Sequence, residues 1–126
     1  MAVTLTRAIP MLRSFDEARA KEFYLDFLGF DLDWEHRFEP ETPLYMQVSR
    51  GDVALQISEH HGDGTPGAAV FVEMAGIKAF HAEITAKNYR AMRPGIVDAP
   101  WGAWLMQVID PFGNKINFNE MKPAED

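Results

Sequence analysis

Apolar side chains recur at intervals of three and four along the stretch that follows Ser14, which is the spacing of one face of an α-helix. Ser14 and Glu17 have the spacing of a capping box, in which side chains at the helix start accept hydrogen bonds from backbone N–H groups. Gly29 follows the last turn, where glycine takes the left-handed conformation without steric cost. The pattern predicts a helix that begins at Ser14 and ends at Gly29. Its predicted buried face comprises Ala20, Phe23, Tyr24, Phe27 and Leu28.

A second helix is predicted over the segment IKAFHAEITAK, where Ile77, Phe80 and Ile84 share one face and Asn88 marks the end. A short apolar run precedes each helix, and strand-like segments follow it. The two apolar runs lie sixty positions apart, about half of the chain. A repeat of that size indicates two copies of one βαβββ unit.

Each copy is predicted to contain four strands, bounded by turn residues and by the alternation of apolar and polar positions. In the first copy they are Ala8–Leu12, Leu32–Phe38, Leu44–Val48 and Val53–Ser58, and in the second Ala68–Met74, Arg90–Ile96, Trp104–Ile109 and Lys115–Asn119. Turns at Arg50–Asp52 and Asp110–Asn114 join the last two strands of each copy. The predicted fold class is therefore α+β, a single domain of residues 1–126 with βαβββ repeats at about 4–59 and 68–120.

Composition narrows the classes of function. The chain of 126 residues has no cysteine, so its strong metal ligands are limited to His, Asp and Glu. Its formal charge of -7 repels phosphate backbones and anionic lipid surfaces, which disfavours nucleic acid and membranes as partners. The N-terminus lacks the layout of a secretion signal, and no apolar run is long enough to span a bilayer. We therefore expect a cytoplasmic protein.

Three sequence motifs resemble a known superfamily. The run FYLDFLGF closes the first predicted helix, PWG occupies Pro100–Gly102, and DPFGN occupies Asp110–Asn114. With the two βαβββ units, these motifs resemble the vicinal oxygen chelate superfamily of glyoxalases, extradiol dioxygenases and bleomycin resistance proteins. The order of PWG and DPFGN is most similar to the bleomycin resistance branch. The resemblance implies a cupped mixed sheet, the glyoxalase/bleomycin resistance fold, and a homodimer.

The resemblance also identifies where a metal would bind. Metal enzymes of this superfamily carry one ligand on the first and one on the last strand of each unit. The corresponding positions here are Ile9, Gln56, Ala69 and Asn117. Apolar side chains cannot ligate, and carboxamides are weak neutral donors for a transition metal. We therefore expect no metal, no other cofactor and no catalytic residue of the family type.

Aromatic residues are the stronger candidates for a binding site. Trp34 and Phe38 share one face of a predicted strand because their spacing is even. The resemblance implies that Phe38 and Trp101, the tryptophan of PWG, stack on a flat ligand in a groove at the dimer interface. Trp34 and Trp104 are candidates for the same groove or for packing. Glu39 is a candidate acidic residue at its rim, together with Glu35 and Asp98.

These expectations define a metal-independent protein that sequesters a flat, cationic small molecule, such as a bleomycin-type antibiotic. One alternative is a metal-dependent lyase or isomerase of the same superfamily with a non-standard site that includes His36, His60 or His61. Another is a protein whose groove binds a metabolite and confers no resistance. The sequence alone leaves these alternatives open.

Overall fold

The structure is a computed structural model that describes residues 2–37 and 39–124. In this part of the chain the helices are α1 (Glu17–Lys21), which continues into a π-helical segment (Glu22–Phe27), and α2 (Ile77–Ala86). The strands are β1 (Met11–Arg13), β2 (Asp31–His36), β3 (Tyr45–Arg50), β4 (Val53–Ser58), β5 (Ala69–Glu73), β6 (Ile96–Ala99), β7 (Ala103–Ile109) and β8 (Lys115–Met121).

The strands form two four-stranded mixed sheets, one in each half of the chain. The first has the order β1-β4-β3-β2 and the second the order β5-β8-β7-β6. In each sheet the strand before the helix pairs in parallel with the last strand, and the other pairs are antiparallel. This arrangement confirms the predicted α+β class and the predicted pair of βαβββ units.

The first helix begins two residues later than the capping-box pattern predicts. Asp16 is the N-cap, and its Oδ1 accepts a hydrogen bond from the backbone N–H of Arg19 at 2.9 Å. The buried Ser14 instead donates its backbone N–H to the carbonyl of Ser58 at 2.8 Å, beside the β1–β4 pair. Sheet pairing therefore holds Ser14 outside the helix. The end at Gly29 is confirmed, and this residue has a φ of +74°.

Two prolines account for the largest differences between predicted and observed strands. β1 begins only after Pro10, because proline has no N–H to donate to a sheet. In the second unit, residues 90–95 are not a strand, and β6 begins after Pro94 and Gly95. β6 also ends three residues later than predicted, at Ala99, and the other strand ends agree with the prediction to within two residues wherever the structure describes them.

Both units contribute to one hydrophobic core. The predicted inner faces of the helices are confirmed, because the following side chains are all buried: Ala20, Phe23, Tyr24, Phe27, Leu28, Ile77, Phe80 and Ile84. Met46 and Leu55 of the first sheet join this core, as do Met106 and Ile116 of the second. Each sheet thus has one side in the core and another side away from it.

A turn of each unit contacts the helical segment of the other. The hydroxyl of Tyr24 donates to Asp110 Oδ2 at 2.6 Å in a buried contact. Burial, and then the nearby carboxylate, raises the pKa of Tyr24 well above its ordinary value. In the reciprocal contact, Arg50 donates to both carboxylate oxygens of Glu83 at 2.7 and 2.9 Å. The Arg50 guanidinium also lies 4.9 Å from the ring centroid of Phe80.

Replacing Glu83 with Gln is expected to destabilise the protein by about 0.5–1 kcal/mol, because the ion pair with Arg50 is partly exposed. The hydrogen bond from Arg50 lowers the pKa of Glu83 below its ordinary value of 4.5. The ionised carboxylate therefore stabilises the fold above that value, and the contribution is lost as pH falls through the lowered pKa. Urea unfolding of both proteins at neutral and acidic pH measures this. A difference in stability that does not shrink in acid would contradict the assignment.

Candidate functional site

The side of the first sheet that faces away from the core carries mainly polar and aromatic residues. We call it the first open face and define it by Asp33, Trp34, Tyr45, Gln47, Ser49 and Gln56. Side chains alternate between the two sides of a strand. Met46 and Leu55, which neighbour these residues along β3 and β4, are accordingly buried on the other side, in the core.

An irregularity in β2 brings two consecutive side chains to this face. The register shifts between Leu32, which pairs with Val48, and Trp34, which pairs with Gln47. Consecutive residues of a regular strand point to opposite sides, but a bulge removes that constraint. Trp34 therefore lies opposite Gln47, while Asp33 accepts a hydrogen bond from the Gln47 side chain at 3.0 Å. A carboxylate and an indole ring share the face.

A directional chain of hydrogen bonds crosses the first open face. The hydroxyl of Tyr45 donates to Gln56 Oε1. Gln56 Nε2 donates to Gln47 Oε1 at 3.1 Å, and Gln47 Nε2 donates to Asp33 Oδ2. Ser49 donates to the other carboxylate oxygen at 2.7 Å. The hydrogen bonds from Gln47 and Ser49 lower the pKa of Asp33, so this carboxylate is ionised at neutral pH.

The corresponding side of the second sheet is more apolar. We call it the second open face and define it by Phe71, Val97, Trp101, Leu105, Ile109 and Asn119. Phe71, Val97 and Ile109 are respectively 55%, 57% and 39% exposed. The polar Gln107 and Asn117 lie on the same side of the sheet, between the edge strands. Exposed apolar side chains on one face of a sheet are typical of sites that bind a ligand or a partner.

Trp101 lies on a tight turn at the edge of this face. The backbone N–H of Gly102 donates to the carbonyl of Ala99 at 3.1 Å, and Gly102 has a φ of +83°, which favours glycine. The indole N–H of Trp101 donates to Asn119 Oδ1 at 2.9 Å, and Asn119 is itself buried. One edge of the indole is thus fixed while half of the side chain is exposed. Trp34 is also partly exposed, and its ring meets that of Tyr45 edge to face at 5.2 Å.

The structure separates Trp104 from the other two tryptophans. Trp104 has the same parity in β7 as the buried Met106, so it lies on the core side of the sheet. There the ammonium of Lys78, on α2, is 4.2 Å from its ring centroid. This position corresponds to the packing alternative considered for Trp104, and the indole lies on the opposite side of the sheet from the second open face.

Two of the predicted acidic residues lie on the core side of their sheets, and the third lies in a loop. Glu35 has core-side parity in β2 and pairs with Lys21 at 2.8 Å, while Asp98 pairs with Lys122 at 2.8 Å beside Trp104. Glu39 is exposed in the loop before β3 and forms backbone hydrogen bonds with Thr42. Phe38, the predicted stacking residue, lies outside the described residues.

The family positions for metal ligands do not suit a divalent ion. Ile9 and Ala69 have no donor atom, Gln56 Oε1 already accepts a hydrogen bond from Tyr45, and Asn117 Oδ1 accepts one from Gln107 at 2.8 Å. Within residues 2–37 and 39–124, no group of three or more His, Asp or Glu side chains is arranged to hold a metal.

The four histidines of the chain lie in three parts of the structure. His36 is in β2, and His60 and His61 follow β4 in the loop that leads to the second unit. His81 is on α2, where its Nε2 lies 2.9 Å from the carbonyl oxygen of Pro94.

Two βαβββ units with two open sheet faces define the class of glyoxalase and bleomycin resistance folds. The chain belongs to the glyoxalase superfamily, because the family model described as "Glyoxalase superfamily protein" matches residues 1–125. Among the curated proteins compared with the chain, none matches it significantly. No helix in the described part of the chain is long and apolar enough to span a membrane.

Solved structures support the same class. A bleomycin-binding protein from Streptomyces verticillus, complexed with copper(II)-bleomycin, has 26% identity and a TM-score of 0.68, with 97% of this chain and 100% of that chain covered. A bleomycin-binding protein complexed with bleomycin has 20% identity and a TM-score of 0.70, over 94% and 100% of the two chains. TnmS3, an antibiotic binding protein from a Streptomyces species, has 19% identity and a TM-score of 0.72, over 96% and 100%.

Proposed function

We propose that the protein sequesters a flat, cationic small molecule, such as a bleomycin-type antibiotic, without chemical change. The groove would form in a homodimer, between the first open face of one chain and the second open face of its partner. Trp34 and Trp101 would stack on the ligand from opposite walls. Phe38, whose role follows only from the family resemblance, is a proposed additional stacking residue, and Glu39 a proposed rim residue.

The presentation of Trp34 and Trp101 carries this proposal. Each indole is partly exposed on an open sheet face, and each is held by its own chain, Trp34 by the ring of Tyr45 and Trp101 by Asn119. A ring fixed in advance loses little conformational entropy when a ligand stacks on it. Stacking contributes about 0.5–1.5 kcal/mol per ring beyond burial of its area, and it needs no metal.

Exposed apolar surface supports the homodimer. Phe71 and Val97 are exposed on the second open face. In the N-terminal segment, Val3 and Leu5 have exposed fractions of 88% and 92%. Apolar surface of this kind is more stable when a partner covers it. The net charge of -7 would in addition attract a cationic ligand and raise its association rate.

Replacing Trp101 with Leu is expected to weaken bleomycin binding by about ten-fold or more, because one stacking surface is lost. Calorimetric titration of the unmodified and substituted proteins measures the affinity. Trp104→Leu is the matched control, since it removes the same ring from the core side of the same sheet region. Melting temperatures of both variants show whether they fold. Binding that depends equally on both tryptophans, or an unmodified protein that does not bind, would contradict the proposal.

A further inference from the structure

The bulge in β2 places a charge and a ring together at one point of the first open face. Asp33 and Trp34 are consecutive, yet Asp33 bonds to the side chains of Gln47 and Ser49 while Trp34 pairs opposite Gln47. A ligand stacked on Trp34 would therefore have its polar edge close to the Asp33 carboxylate. Sequence reasoning did not select Asp33 as a site residue.

The hydrogen bonds across this face determine what a ligand must supply. The Tyr45 hydroxyl hydrogen is used on Gln56, and one Nε2 hydrogen of each glutamine is directed along the chain toward Asp33. The two ends of this chain of hydrogen bonds offer lone pairs to a ligand, on Tyr45 Oη and on the Asp33 carboxylate. An ionised carboxylate can only accept hydrogen bonds. Because the chain ends on a negative charge, its members polarise one another in the same direction. A complementary ligand presents N–H donors.

Other charges near Asp33 leave it available. The positive charge of Arg7 has a minor influence on the Asp33 carboxylate, and no ion pair joins the two within the described residues. Asp31 stands opposite Ser49 in the ladder and adds negative charge to the same strand end. Glu35 lies on the opposite side of β2 and is neutralised by Lys21. An ionised carboxylate with spare acceptor capacity thus adjoins the Trp34 ring.

We propose that Asp33 is the specificity-determining residue of the groove, and that it selects flat aromatic ligands carrying a cationic N–H donor, such as an amidinium or a protonated amine. This inference rests on the proposed function, because it requires the ligand to stack on Trp34. A charge-assisted hydrogen bond beside the ring then fixes the orientation of the ligand. A quaternary ammonium of the same charge has no hydrogen to donate, so it would gain only the Coulomb attraction and the cation–π contact.

Three probes with the same ring test this assignment. Naphthamidine is cationic with N–H donors, trimethylnaphthylammonium is cationic without them, and naphthamide has donors but no charge. The unmodified protein is expected to bind naphthamidine about ten-fold more tightly than either of the others, as measured by calorimetric titration. In Asp33→Asn, which keeps the size of the side chain, this preference is expected to disappear. Glu35→Gln is the matched control, because it removes one negative charge from the other side of the same strand.

The possible outcomes separate this inference from the proposed function. Loss of the naphthamidine preference in D33N but not in E35Q supports the assignment of Asp33, provided that both variants melt close to the unmodified protein. A preference that survives in D33N, equal losses in both variants, or no binding of any naphthalene probe would overturn it. The proposed function is judged separately, by the bleomycin titration and the loss expected in W101L.

Discussion

Replacing Asp110 with Ala is expected to lower the free energy of unfolding by about 3 kcal/mol or more. Asp110 is 4% exposed, and its carboxylate accepts four hydrogen bonds. Alanine would leave the buried hydroxyl of Tyr24 and the amide groups of Asn114 without an acceptor, and each such donor costs about 1–3 kcal/mol. For a domain of this size the melting temperature should fall by roughly 10 °C, which calorimetry or thermal unfolding followed by circular dichroism measures.

Asp52→Ala is the natural control, because Asp52 occupies the turn of the first unit and is exposed. A change below about 0.5 kcal/mol is expected there. Tyr24→Phe removes the partner hydroxyl and should cost about 1 kcal/mol. Because Tyr24 and Asp110 are in direct contact, the double variant should be more stable than the sum of the two single effects predicts. Equal losses in D110A and D52A would show that the turn, rather than the buried carboxylate, determines stability.

The contrast between Asp110 and Asp52 shows what the sequence could and could not predict. Both residues lie in turns that the sequence placed correctly between two strands, because glycine and aspartate in a short polar segment favour a turn. The local sequences differ, since Asp110 precedes Pro111 and Asp52 follows Gly51, but neither sequence predicts burial of the carboxylate. Their different burial depends on Tyr24, which is 86 positions from Asp110 in the chain. Contacts between the two units were therefore beyond the reach of periodicity, whereas the helix faces and most strands were within it.

Asp33 was missed for a related reason. Strict alternation places Asp33 and Trp34 on opposite sides of β2, and only the register shift after Leu32 brings them to the same side. A bulge without glycine leaves little trace in the composition of a strand. Two of the three acids that the sequence indicated, Glu35 and Asp98, are paired with lysines on the core side of their sheets.

The placement of Trp104, in contrast, was available from the sequence. Trp104, Met106 and Val108 occupy every second position of one predicted strand, so they share one side of it. Met106 and Val108 are the residues expected to be buried. The same parity predicts the core side for Trp104. Trp101 could not be placed in this way, because it lies in a turn, where alternation does not apply. The hydrogen bond that orients its ring joins Trp101 to Asn119 of β8, and local sequence does not predict this contact between separate segments of the sheet.

A groove shared between two chains makes a distinctive prediction for mixtures of variants. Trp34→Leu and Trp101→Leu should each weaken ligand binding by about ten-fold or more, since each removes one wall from both grooves of the homodimer. In a heterodimer of the two variants, one groove would have both substituted walls and the other would have neither. Random exchange of subunits makes roughly half of the dimers heterodimers, so about a quarter of the high-affinity capacity should return.

Calorimetric titration of the exchanged mixture measures this recovery, and native mass spectrometry verifies that subunits have exchanged. The matched control mixes W101L with the double variant carrying both substitutions, because none of the resulting heterodimers contains an intact groove. If Trp34 and Trp101 of the same chain formed each groove, every chain in the first mixture would lack one wall. No capacity would then return despite complete exchange, and the pairing of the two open faces across a dimer would have to be abandoned. Recovery confined to the first mixture would establish that each site takes one wall from each chain.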